Sequence, residues 1–198
     1  MNFNIKNSPT PKAHVEITPS LSSLVINNLI NYLKLTLYPR NNTGFINKDK
    51  ENVDDLSERK CWDIPFMDTP PINNFIDELT PFILEANSKF NFNLTGINSL
   101  FYFEYSPYDR TPLDWHMDLN NEYPYSRRKL SFTYLVNDPT EYEGGNLKLF
   151  FDSTEIITLS NIQGKIVFFP SFIPHKVTPI TKGVRKVIVG FLEGEPFR

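Results

Sequence analysis

The stretch His175-Lys176-Val177-Thr178-Pro179-Ile180-Thr181-Lys182-Gly183-Val184-Arg185-Lys186-Val187-Ile188-Val189-Gly190-Phe191 reads as two strands on either side of a turn signal at Thr181-Lys182-Gly183. Residues two apart in a strand share a face. A hairpin closing near Thr181 sets Val177 opposite Arg185 and His175 opposite Val187. His175, Val177, Arg185, Val187, Val189 and Phe191 then line one face, the interior of a barrel. A guanidinium buried there beside a histidine is costly unless an anion pairs with it. The planar fork of arginine is suited to a carboxylate.

The same period of two runs through the second half of the chain. Phe101, Phe103 and Tyr105 alternate with Leu100, Tyr102 and Glu104. Further strands are expected over 114–118, 130–137, 146–151, 154–159, 165–169, 174–180 and 184–192. Turn chemistry separates them at Asn137-Asp138-Pro139, Glu143-Gly144-Gly145, Asp152-Ser153 and Asn161-Ile162-Gln163-Gly164. About eight short strands with tight turns predict a two-sheet jelly roll.

Upstream, the period is helical. Leu21, Leu24, Val25, Asn28, Leu29, Tyr32 and Leu33 form a stripe, with Thr18 or Ser20 as its cap and Pro39 as its stop. A second stripe joins Ile72, Phe75, Ile76, Leu79, Phe82, Ile83 and Ala86 from about Pro71, and Pro81 inside it should kink or divide the helix. Residues 1–18 read as a loose arm or an edge strand, and 40–60 as a polar loop. The expected architecture is mainly β with flanking helices: a jelly roll with N-terminal helices packed on one sheet. One domain spans 1–198, with a helical front and arm over 1–95 and a jelly-roll core over 96–198.

The 198 residues suffice for one such core, and the net charge of −3 gives no bulk attraction to nucleic acid or anionic membrane. The basic run Arg127-Arg128-Lys129 reads as the solvated start of a strand. One cysteine, Cys61, allows no internal disulfide. The first residues lack the pattern of a signal peptide, and no apolar stretch is long enough to span a bilayer. A cytoplasmic location is the simplest expectation.

The chemistry concentrates in Trp115-His116-Met117-Asp118. On a strand, His116 and Asp118 project together. Of the three histidines, His14 has no partner at ligand spacing, so His175 is the candidate third ligand. Two imidazoles and one carboxylate hold non-haem iron(II) on one face and leave the opposite positions open. Taken singly, an H-x-D triplet is common by chance, His175 would be a hydrogen-bonded core histidine and Arg185 a surface charge. The four together, in this order on strands, specify a site.

From about Leu100 to Phe197 the sequence resembles the iron(II)/2-oxoglutarate-dependent dioxygenases, in the prolyl 4-hydroxylase-like branch with PKHD-type members. The resemblance is carried by Trp115-His116-Met117-Asp118, Arg128-Lys129-Leu130-Ser131-Phe132, Asn137-Asp138-Pro139, Tyr142-Glu143-Gly144-Gly145-Asn146-Leu147, Phe169-Pro170-Ser171 and His175 through Arg185. Weaker similarity lies at Cys61-Trp62-Asp63 and Glu85-Ala86-Asn87.

This resemblance implies a double-stranded β-helix, the cupin-like form of a jelly roll, with iron ligation by His116, Asp118 and His175, and a salt bridge from Arg185 to the distal carboxylate of 2-oxoglutarate. Tyr105 matches a tyrosine that hydrogen-bonds the cosubstrate, or is a core tyrosine. Ser131, Thr133, Leu147, Val177 and Phe191 are expected to line the cosubstrate pocket, or are plain core. Leu135 departs from relatives that place a second cosubstrate tyrosine near that position, and Tyr134 faces the other way.

The implied cofactors are Fe(II), 2-oxoglutarate and O2, with ascorbate supporting activity. The implied reaction hydroxylates a C–H bond, that of a prolyl residue in a protein or peptide, and decarboxylates 2-oxoglutarate to succinate. Retention of Asp118 favours hydroxylation, since relatives lacking this carboxylate can carry halide there. Loops at 106–114 and 119–127, with Tyr108, Tyr123 and Tyr125, flank the ligands and are expected to select substrate. The alternatives are an oxygenase of a free amino acid or small metabolite, a metal-dependent cupin using no 2-oxoglutarate, and a non-catalytic jelly-roll binding module. Nucleic-acid demethylation is disfavoured for want of a basic face. The sequence leaves oligomeric state open.

Overall fold

A computed structural model describes residues 12–18, 21–41, 60–108, 114–151 and 156–196. In chain order these form β1 (Val15–Ile17), α1 (Ser23–Thr36), β2 (Arg40–Asn41), β3 (Lys60–Asp63), α2 (Pro70–Phe90), β4 (Leu94–Tyr105) and β5 (Arg128–Leu135). There follow β6 (Tyr142–Gly144), β7 (Leu147–Phe150), β8 (Ile156–Thr158), β9 (Ile166–Pro170), β10 (His175–Val177), β11 (Ile180–Gly183) and β12 (Arg185–Gly194). The fold is mainly β with two helices, as the alternation predicts.

A seven-stranded sheet runs β1-β9-β5-β12-β4-β3-β2. A three-stranded sheet, β10-β7-β8, and a two-stranded sheet, β11-β6, complete the roll. Every pairing is antiparallel.

The period of two divides the seven-stranded sheet between two cores. Leu130, Phe132, Tyr134, Ile166, Phe168, Ile188 and Leu192 pack with Ile26, Leu29 and Leu33 of α1 and Ile72, Phe75, Leu79 and Ile83 of α2. Alternate residues face inward: Val167 and Phe169 meet Leu147, Leu149 and Leu159. Leu135 and Val187 meet Tyr105, Tyr142 and Ile180. Burying a large apolar side chain contributes about 1.5–3 kcal/mol, so both faces of the sheet hold it in place.

The helices differ from expectation in detail. Ser22 caps α1, because its backbone is extended and its hydroxyl accepts from Val25 N–H. Glu78 of α2 in turn accepts from the Ser22 backbone N–H at 2.8 Å and from its hydroxyl at 3.1 Å. Thr18 precedes this cap, and Ser20 lies outside the described residues. Leu24 of the predicted stripe is exposed, and Ile26 takes the inward position. Pro81 does not divide α2. It sits on the exposed face, where water can serve the carbonyl it leaves without a donor. Asn91, at φ 58°, ends the helix in the left-handed conformation.

Three strand expectations and one loop expectation are corrected. Residues 114–118 form no strand, only a single bridge between His116 and His175. The 174–180 segment is two strands broken around Thr178-Pro179, as proline supplies no donor to a ladder. The hairpin joining it to Arg185 is absent, since β10 pairs with β7, β11 with β6, and β12 with β4 and β5. The 40–60 segment contributes β2 and the start of β3, and residues 42–59 lie outside the described residues. Within the arm, residues 15–17 form the edge strand β1.

Candidate metal centre

His175 opens β10, opposite Leu149 of β7. The segment carrying His116 is laid against it by main-chain bonds. His116 N–H donates to His175 O at 3.0 Å, and His175 N–H to His116 O at 2.9 Å. Two residues on, Asp118 N–H and Leu119 N–H both donate to Ser171 O, at 2.9 and 3.2 Å. His116, Asp118 and His175 each direct a ligand atom into one cluster, with all three atoms within 4.8 Å of one another. His116 Nε2 lies 3.8 Å from Asp118 Oδ1, and His175 Nε2 lies 3.5 Å from Asp118 Oδ2.

The surroundings prepare these atoms. His116 Nδ1 lies 2.6 Å from Asp114 O, and His175 Nδ1 lies 3.0 Å from Ile173 O. A carbonyl only accepts, so each Nδ1 carries the proton and each Nε2 presents a lone pair, the arrangement of a metal-bound imidazole. Burial pushes the His175 imidazole below its usual pKa, against the opposing pull of Asp118. Ser131 Oγ donates to Asp118 Oδ2 at 2.7 Å, and Ser171 Oγ lies 2.9 Å from Ser131 Oγ. The donor set fits iron(II): two imidazole nitrogens and one carboxylate, with no fourth His, Cys, Asp or Glu in the cluster among the described residues.

Arg185 lies deeper, at the start of β12, directly opposite Tyr105 of β4. Its guanidinium carbon sits 5.9 Å from the Tyr105 ring. Burial lowers the guanidinium pKa, while the Tyr105 and Tyr142 phenols act in the other direction. Arg185 Nε and the Tyr142 hydroxyl are both buried without a hydrogen bond of ordinary geometry. A fully desolvated cation with an unmet donor calls for an anionic partner. A recess lined by Thr133, Leu135, Leu147, Val167, Lys165 and Arg185 leads to it. Lys165 does not serve that anion, because its ammonium is already bonded to Glu16 and to the carbonyl and hydroxyl of Ser160.

The predicted site residues therefore fall into groups. His116, Asp118 and His175 converge, and Tyr105, Thr133 and Leu147 lie by Arg185. Val177 pairs with Leu147 and packs in the inner core. Phe191 lies elsewhere, against Phe101 and under the Arg128 guanidinium at 3.6 Å. Ser131 is bonded to a ligand and is not among the residues lining the recess.

The basic run is corrected too: Arg128 and Lys129 are buried. Arg128 stacks between Tyr125 and Phe191 and donates to Asn98, Ser99 and the Asp118 carbonyl. Of the loop tyrosines, Tyr108, Tyr123 and Tyr125 are exposed, and residues 109–113 lie outside the described residues. Ser171 and Arg128 went unread because a serine in a turn, or an arginine in a basic triplet, carries no periodic signal.

Residues 102–193 match the family described as the 2OG-Fe(II) oxygenase superfamily. Over 81 residues the chain is 43% identical to a PKHD-type hydroxylase of Synechococcus sp. (strain CC9902), covering 40% of this chain and 35% of that protein. The chain thus aligns with about a third of the length of the curated relatives it matches. A prolyl-4-hydroxylase of Pseudomonas putida is similar in structure, with a TM-score of 0.63, 14% identity and coverage of 92% and 93% of the two chains. So is a prolyl hydroxylase of Trichoplax adhaerens in complex with a hypoxia inducible factor peptide fragment, with a TM-score of 0.65, 18% identity and coverage of 91% and 83%. At these identities the solved structures bear on the fold. Among the described residues, no helix is long and apolar enough to cross a membrane.

Proposed function

We propose that this chain, whose residues 102–193 match the 2OG-Fe(II) oxygenase superfamily, is an iron(II)- and 2-oxoglutarate-dependent dioxygenase. Its reaction hydroxylates a C–H bond, with a prolyl residue of a protein or peptide as the proposed site. The observation that supports this best is the presence of two sites on the inner side of the roll: three convergent ligand atoms, and a buried Arg185 with an unmet donor that lines a recess of its own.

In this reading, His116, Asp118 and His175 hold the metal and Arg185 binds the distal carboxylate of 2-oxoglutarate. Tyr105 flanks that carboxylate, and Thr133, Leu147 and Val177 shape the apolar wall. Iron supplies O2 activation coupled to oxidative decarboxylation of the cosubstrate to succinate, and the protein contributes binding, orientation and exclusion of water. Ascorbate keeps the metal reduced, and the location is cytoplasmic. The prolyl assignment draws on the similarity to prolyl hydroxylases, and a free amino acid or small metabolite is the competing substrate class.

The test is succinate release from 2-oxoglutarate with Fe(II) and ascorbate, then a screen of proline-containing peptides for the mass of one added oxygen. Arg185→Ala should weaken 2-oxoglutarate binding by about 30-fold or more, the scale for breaking a buried charge-assisted pair, and should leave metal affinity unchanged. Absence of both cosubstrate binding and turnover in the wild type overturns the reading. Activity that survives Arg185→Ala favours a cupin that uses no 2-oxoglutarate.

A further inference from the structure

We infer that Ser131 and Ser171 form a positioning pair that fixes Asp118 as a one-oxygen ligand. The inference rests on the metal-centre reading of His116, Asp118 and His175, and it goes beyond that reading in assigning these two hydroxyls.

The direction of the hydrogen bonds follows from chemistry. An ionised carboxylate only accepts, so Ser131 must spend its single proton on Asp118 Oδ2, at 2.7 Å. Ser131 Oγ is then an acceptor toward Ser171, and the 2.9 Å contact between the two hydroxyls must be donated by Ser171. A directed relay results, Ser171 to Ser131 to Asp118, in which each bond polarises the next. Both serines are fully buried, at 1% and 0% exposure, so water cannot replace either hydroxyl.

Ser171 also holds the ligand from a second side. Its carbonyl accepts from Asp118 N–H and Leu119 N–H, and its own N–H donates to Lys129 O of β5. One residue thereby fixes the ligand main chain directly and the ligand side chain through Ser131.

Carboxylate rotation is the freedom this removes. Ser131 holds Oδ2, which lies 3.5 Å from His175 Nε2, and Oδ1, 3.8 Å from His116 Nε2, would then be the oxygen the carboxylate offers a metal. Without the hydroxyl, the carboxylate can turn to present both oxygens and fill a position that an open site needs. Ser131 therefore acts through Asp118 and not by touching the cosubstrate.

The experiment titrates apo protein with Co(II), following binding by calorimetry and the ligand-field absorption, with no turnover needed. Ser131→Ala should weaken metal affinity by about 10- to 100-fold, the range for loss of a ligand's hydrogen-bond partner, and should alter the band intensity that reports coordination number. Ser131→Thr, which keeps the hydroxyl, should restore both. Ser171→Ala removes only the outer bond and should weaken binding by about fivefold.

A folded Ser131→Ala protein with wild-type affinity and spectrum overturns the inference while leaving the metal centre standing. A wild type that binds no Co(II) overturns the metal centre and the inference with it. Should Ser131→Ala fail to fold, Ser171→Ala decides: weakened binding supports the relay, and wild-type affinity overturns it.

Discussion

Behind Arg185, a Cβ added at Gly145 would meet Arg185 Cδ and Ile180 Cδ1, each at 2.5 Å, and the φ of +66° is one that L side chains rarely adopt. Gly145→Ala should therefore displace the guanidinium. The expected outcome is 2-oxoglutarate binding weakened by about tenfold and stability lowered by about 1–3 kcal/mol, with Co(II) affinity unchanged. Calorimetric titration of both ligands and a urea melt check it. Residues of rare type were the legible ones. With only three histidines in the chain, His116 and His175 stood out, and Arg185 followed from strand parity. Gly145 was visible as turn chemistry, but its contact with a side chain forty positions on was not. Ser131 and Ser171 were illegible as ligand supports because their role depends on a three-dimensional contact between separate segments.

Among the elements, β1 is the most exposed to test, because it is an edge strand paired only with β9. Its Glu16 carboxylate bonds the buried Lys165 ammonium, next to β9. Burial alone would raise the Glu16 pKa, but the hydrogen bonds and charges of Lys165 and His14 outweigh it and leave the carboxyl below its ordinary value. A carboxyl lowered by folding stabilises the protein above its unfolded pKa, and that contribution is lost as pH falls through the folded value. Glu16→Gln should cost about 1 kcal/mol near neutral pH, a modest figure because Glu16 faces solvent. Urea melts from about pH 7 to about pH 3 should show wild type and variant converging on the acid side. Strand alternation was legible for β4, β5, β9 and β12 because a buried face imposes it locally. Partner choice was not, so the 174–192 hairpin was misplaced. The inward face assigned to Arg185 and Val187 survived that error, since parity depends on the chain's own period and not on which strand lies alongside.

Across the whole molecule, the seven-stranded sheet separates a helix-packed core from an inner core, and the candidate site belongs to the inner side. The layering was legible from the change of period near residue 96. Residues 1–18 were legible as a loose arm or an edge strand, and the contribution of β2 and β3 to the seven-stranded sheet was not, because short paired strands leave little pattern. One feature ties distant parts together: the reciprocal main-chain bonds between His116 and His175. They are formed by protein groups alone, so the loss of conformational entropy needed to bring two ligands about sixty residues apart into register is met during folding. A zinc finger, by contrast, folds only when loaded. Dialysis against a chelator should leave the far-UV circular dichroism and a single cooperative melt intact, with the midpoint lowered only by mass action. A melt that loses cooperativity on chelation would contradict this. A vessel that keeps its shape when emptied can be refilled, and this chain should exchange one divalent ion for another without passing through an unfolded state.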